Sequence, residues 1–92
     1  MNEIDLTKEN LKRIISDDLG LLINREDITD DISLYDDGLG MDSITIVNFI
    51  IEIEKQFGIT IEEDEMSASL FENVNSLASY IVEKQKLNEP LK

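Results

Sequence analysis

Ninety-two residues, 41% hydrophobic but only 5% aromatic, suffice for one modest core packed from Leu, Ile and Val. Eight Lys and Arg oppose twenty-one Asp and Glu, and the net charge of −13 repels nucleic acid and anionic membranes while favouring basic protein partners. With no Cys and no His, the chain has no disulfide, thiolate nucleophile, zinc–thiolate site or imidazole acid–base chemistry.

In chain order, Met1 to Asn10 is polar and lacks the basic-then-apolar order of a secretory leader. Thr7 is a suitable N-cap, with Leu6 and Leu11 at the positions of a hydrophobic staple. Leu11, Ile14, Ile15 and Leu19 follow at helical spacing and Gly20 supplies a stop, predicting a first helix over about 8–19. From Leu21 to Asp42 no period persists. Acidic pairs (Asp30-Asp31, Asp36-Asp37) and two glycines alternate with isolated Ile28, Ile32, Leu34, Tyr35 and Leu39, the pattern of a long loop pinned to the core.

A second helix is expected from Ser43 to about Phe57, closed by Gly58. Its apolar run, Ile44 to Ile53, is too short to span a bilayer and contains Asn48 and Glu52. Ile59, Thr60 and Ile61 read as a packed connector, because a lone short strand has no partner. Ser67 or Ser69 can cap a short helix containing Leu70 and Phe71. Asn75 is placed as the cap of a last helix bearing Leu77, Ala78, Ile81 and Val82, and Asn88 to Lys92 as a frayed tail.

The expected fold is all-α: a four-helix bundle of three main helices and one short helix, with a long first loop. It forms a single domain over 1–92, with a core at about 5–87. The composition reads as that of a soluble, cytoplasmic monomer.

Charge is unevenly distributed. Residues 1–16 and 66–92 each balance three acids against three bases, whereas 17–65 holds fifteen acids against Arg25 and Lys55. The middle therefore carries the whole net charge. This is either a solvated face or a partner-facing side with ends that do not dock, and such complete segregation favours the second.

On a wheel of about 100° per residue, the second helix has two apolar stripes. Ile46, Phe49, Ile50, Ile53 and Phe57 form a broad face suited to the core. Ile44, Val47 and Ile51 lie nearly opposite, with Glu54 beside them. They are either further core under the loop or an exposed strip where partners dock, with Ile44 partly covered by the loop as an intermediate outcome.

At the start of this helix stands Leu39-Gly40-Met41-Asp42-Ser43-Ile44. Glycine permits a tight turn and leaves room for an approaching surface. Ser43 is the first helical residue or its cap, where the helix N-terminus stabilises added negative charge such as a covalent phosphate. Asp-Ser before an apolar helix is also an ordinary cap.

Leu39 to Ile44 resembles the phosphopantetheine attachment site of acyl carrier proteins. The preceding helix, the long acidic loop, the helix beginning at the serine and a last helix with Tyr80-Ile81 extend the resemblance over about residues 5–85. It implies that Ser43 carries 4′-phosphopantetheine, transferred from coenzyme A by a separate Mg²⁺-dependent phosphopantetheinyl transferase that Asp42 helps to position. It implies also that Ile44, Val47 and Ile51 are apolar docking positions, and that Glu54 meets Arg and Lys on acyl-loading and acyl-processing enzymes. The chain is then a carrier with no catalytic or metal-binding residues of its own. Thr45 and Asn48 stand where fatty-acid carriers commonly have acids, and Met66 to Asn73 is a slightly long connection. Both point to a dedicated polyketide, peptide or lipid pathway.

Other readings are weaker. An EF-hand register with Gly38 as the loop glycine puts Ser33, Tyr35 and Asp37 at ligand positions and Ile44 where Glu belongs, and Gly40 fares no better. An unmodified acidic adaptor of the same fold is the main alternative. A hydrolase is least favoured, since Ser43 has no base in the chain to activate it.

Overall fold

The computed structural model describes residues 2–35, 37–67 and 69–87; Asp36 and the tail at 88–92 lie outside the described residues. Helices α1 (Glu3–Arg13), α2 (Ser43–Phe57) and α3 (Val74–Leu87) carry the architecture, with a π-turn at Ile14–Asp18 and 3₁₀ turns at Arg25–Asp27 and Glu63–Glu65. No strand occurs among the described residues, as the all-α expectation requires.

Helix α1 begins earlier than its apolar spacing predicts. Asn2 is the cap, its side chain accepting the Asp5 N–H at 2.8 Å, and Glu3 and Asp5 complement the helix dipole in the first turn. Thr7 is not the cap: it lies inside the helix and is buried, with α1 running along α3. Leu6 is 54% exposed, so it makes no staple with the fully buried Leu11. At the other end, the Leu19 N–H donates to the Ile14 carbonyl at 3.1 Å, a widened i→i+5 turn. Consecutive Ile14 and Ile15 both enter the core there.

The long loop is pinned, as its isolated apolar residues suggest. Ile28, Leu34 and Met41 are buried, and Ile32, Tyr35 and Leu39 pack against the core. Its backbone closes on itself: the Met41 N–H donates to the Leu34 carbonyl (2.9 Å) and the Leu39 N–H to the Ser33 carbonyl (2.8 Å). It is also fastened outward. The Leu34 N–H donates to the Glu72 carbonyl (3.1 Å), and the Asn75 N–H to the Asp30 carbonyl (2.9 Å).

Beyond α2 and Gly58, Ile59 and Ile61 are buried as a packed connector. The short helix expected around Leu70 and Phe71 is instead a run of turns. Ser67 accepts the Leu70 N–H on both its carbonyl and its hydroxyl, each at 3.2 Å. The winding stops where the Glu72 carbonyl turns to Leu34. Leu70 and Phe71 still reach the core. Asn73, not Asn75, caps α3: its Oδ1 accepts the Ser76 N–H at 2.9 Å, while Ser76 Oγ accepts the Asn73 N–H at 3.3 Å. The Asn75 N–H is taken by Asp30.

Folding ties both chain ends to the acidic middle through ion pairs. Lys8 and Lys12 pair with Asp30 at 3.3 and 2.8 Å, Arg13 with Asp18 at 3.5 Å, and Lys84 with Glu65 at 2.7 Å. Bases of the two neutral ends are thus spent on acids of the middle, so those ends are not electrostatically separate from it.

Candidate functional site

Helix α2 starts and stops where its sequence predicts. Asp42 is the N-cap, its Oδ1 accepting the Thr45 N–H at 2.8 Å, and Ser43 is the first helical residue. That N–H holds the exposed Asp42 carboxyl below the usual carboxylate range. The Ile46 N–H goes to the Asp42 carbonyl at 2.9 Å, leaving those of Ser43 and Ile44 at the open end of the helix. Gly40, two residues before the cap, has φ +74° with open space beside it. This left-handed turn swings the chain from the core-bound loop into the exposed helix start.

Ser43 is exposed and makes no side-chain hydrogen bond among the described residues. Beside it lies an open, mainly apolar cleft of about 550 Å³, lined by Tyr35, Met41, Asp42, Ser43, Ile46 and Val47. A free hydroxyl at a helix N-terminus, next to an apolar cleft, fits a phosphodiester-linked arm: the first-turn N–H groups favour the phosphate and the cleft wall accepts the aliphatic part.

The two stripes of α2 separate cleanly. Phe49 and Ile53 are fully buried, with Ile46, Ile50 and Phe57 packed at the core's edge. Ile44, Val47 and Ile51 are 72%, 53% and 51% exposed. The loop does not cover Ile44, which is the barest of the three, because Met41 rather than Ile44 fills the space under the loop.

Glu54 lies beside the strip but is not a free surface acid. It is half-buried, and its Oε2 accepts the Ile61 N–H at 2.9 Å, fastening the connector to α2. Glu52 is also engaged, with Lys55 at 3.6 Å and the Gln56 amide at 3.0 Å. Sequence spacing sets Glu54 beside the apolar strip and carries no signal that the connector folds back onto it.

The family model for the phosphopantetheine attachment site matches residues 9–81. The chain is 39% identical over 83 residues to the acyl carrier protein of Chloroherpeton thalassium, covering 90% of this chain and 98% of that protein. With that of Rickettsia bellii it shares 34% over 83 residues, covering 90% and 96%. Its fold superposes on the solution NMR structure of a holo acyl carrier protein from Nitrosomonas europaea with a TM-score of 0.69 at 32% identity, covering 89% of this chain and 96% of that one. The chain belongs to the acyl carrier protein family: it is a carrier with covalently held phosphopantetheine as its prosthetic group, not a catalyst.

Proposed function

We propose that Ser43 is the attachment point, and that the chain, a single carrier domain over 1–92, tethers acyl groups there and presents them to partner enzymes in the cytoplasm. The exposed Ser43 hydroxyl, at the open N-terminus of α2 and one residue from the bare apolar strip, carries this reading. Ser43 Oγ attacks the pantetheine-side phosphorus of the coenzyme A pyrophosphate; the new phosphodiester forms as the pyrophosphate P–O bond breaks, adenosine 3′,5′-bisphosphate leaves, and the Ser43 proton passes to a base of the transferase. Asp42, held ionised by the Thr45 N–H, supplies a negative charge beside Ser43 that suits the Mg²⁺ of that reaction. When bound, the group supplies a terminal thiol that holds acyl chains as thioesters.

Ile44, Val47 and Ile51 offer partners an apolar docking strip next to the attachment point. The chain contains no Cys, so no thiol of its own competes for the acyl group. Uncharged Thr45 and Asn48 on the same helix support a dedicated polyketide, peptide or lipid pathway with its own partners.

Intact mass after incubation with coenzyme A, Mg²⁺ and a broad-specificity phosphopantetheinyl transferase tests the assignment. The expected result is a gain of one phosphopantetheinyl unit, absent in Ser43→Ala. No gain with several transferases, in folded protein, would leave an unmodified acidic adaptor as the better reading.

A further inference from the structure

Folding decides which of the chain's acids remain available to a partner. On α2, Glu54 is taken by the Ile61 N–H and Glu52 by Lys55 and Gln56, while Thr45 and Asn48, beside the apolar strip, are uncharged. The face that exposes Ile44, Val47 and Ile51 is therefore mainly apolar, flanked by the half-buried Glu54 carboxylate, which the Ile61 N–H holds in place. Asp30, Asp18 and Glu65 are neutralised by bases from the chain ends.

On the other side of Tyr35 lies a cluster of exposed acids with no cationic partner among the described residues. A second open cleft, of about 730 Å³, contains the carboxylates of Asp31, Asp37 and Glu72, all exposed and none paired with a cation among the described residues. Tyr35 lines both this cleft and the one beside Ser43, so the acidic surface continues directly from the attachment site and the α2 strip.

We propose that partner proteins of this carrier, the transferase among them, are bipartite: an uncharged apolar surface meets α2, while their Arg or Lys groups lie past Tyr35 against Asp31, Asp37 and Glu72. Complementary charge and continuity with the strip argue for this occupant. The arrangement separates two roles. The strip supplies contact that persists in salt, and the offset acids supply steering that salt screens.

The inference rests on the carrier reading, and one kinetic series tests both. Phosphopantetheine transfer is followed by intact mass with a broad-specificity transferase, coenzyme A and Mg²⁺, and KM is measured at several NaCl concentrations. The variants are Asp31→Asn/Asp37→Asn/Glu72→Gln, a charge-matched control Glu26→Gln/Asp27→Asn/Glu83→Gln from outside both clefts, and Asn48→Glu. Exposed ion pairs of ordinary strength predict about a tenfold higher KM for the first triple, with a flatter salt dependence. The control triple should stay near wild type, and Asn48→Glu should not lower KM.

Equal effects of the two triples, or a lower KM in Asn48→Glu, would overturn the offset arrangement while leaving the carrier function intact. No mass gain in the folded wild-type protein would overturn both.

Discussion

The Ser33 carbonyl oxygen lies so close to the Cα of Gly38 that a Cβ built there would overlap it, although Gly38 itself has an ordinary backbone angle. The same oxygen accepts the Leu39 N–H at 2.8 Å, so it cannot move aside without opening the loop that leads into Ser43. Gly38→Ala is expected to destabilise the fold by about 1–3 kcal/mol, the usual range for forced overpacking. Urea denaturation measures this, and an unchanged midpoint would show that the loop yields freely.

Asp30 joins three elements: its carboxylate meets Lys8 and Lys12 of α1, and its carbonyl accepts the Asn75 N–H of α3. The Lys12 ammonium holds the Asp30 carboxyl below the usual range, and Asp30 in turn raises Lys12. The stabilisation from Asp30 is complete above its unfolded value near about 4 and disappears as pH falls through its lower folded value. The contribution of Lys12 is complete below its unfolded value near about 10.4 and disappears as pH rises through its higher folded value. For this half-exposed cluster, Asp30→Asn should cost roughly 1 kcal/mol at neutral pH and flatten the acid limb of a pH–stability curve. A wild-type acid limb in the variant would assign the pH dependence to other carboxylates.

Asp42 has two separable roles, since Asn can still cap a helix but carries no charge. Asp42→Asn is expected to keep the thermal midpoint of the wild type and slow phosphopantetheine transfer, whereas Asp42→Ala lowers the midpoint as well. Both quantities can be read from one protein preparation. Transfer at the wild-type rate in the Asn variant would remove the carboxylate's charge from the reaction.

The two faces of α2 should respond oppositely to truncation. Phe49→Ala empties a fully buried site and is expected to cost about 3–5 kcal/mol. Val47→Ser, on the exposed strip, should change stability by less than about 0.5 kcal/mol yet raise the KM for transfer at every salt concentration. Calorimetry and the transfer assay together separate core from docking surface. A large stability loss from Val47→Ser would place the strip in the core instead.

Helix α2 was the most legible element because its signals are local: Asp42 caps within its own turn, Gly58 sits left-handed at φ +66°, and the apolar spacing between them is unbroken. The hexapeptide around Ser43 was legible for the same reason. Less readable were the other two helix starts, where a nearby alternative cap existed and contacts across the fold chose between them. Thr7 is a better cap than most residues, but α1 lies against α3 there, so the helix winds back to Asn2 and Thr7 is buried. Asn75 lost to Asn73 because its N–H had a partner far along the chain, the Asp30 carbonyl.

Composition and local pattern by themselves determined that this chain is helical, acidic, without thiol or imidazole chemistry, and built around one serine at the head of an amphipathic helix. Those properties depend on residue type and on neighbours within a turn or two. Only the tertiary structure decided which acids stay free, which of the two α2 stripes faces outward, and how the loop is fastened. Each of these depends on partners distant in sequence: Lys12 for Asp30, Ile61 for Glu54, Glu72 for Leu34. A hydrogen bond or ion pair across the fold leaves no period in the chain, so charge that looks segregated in sequence can be paired in space.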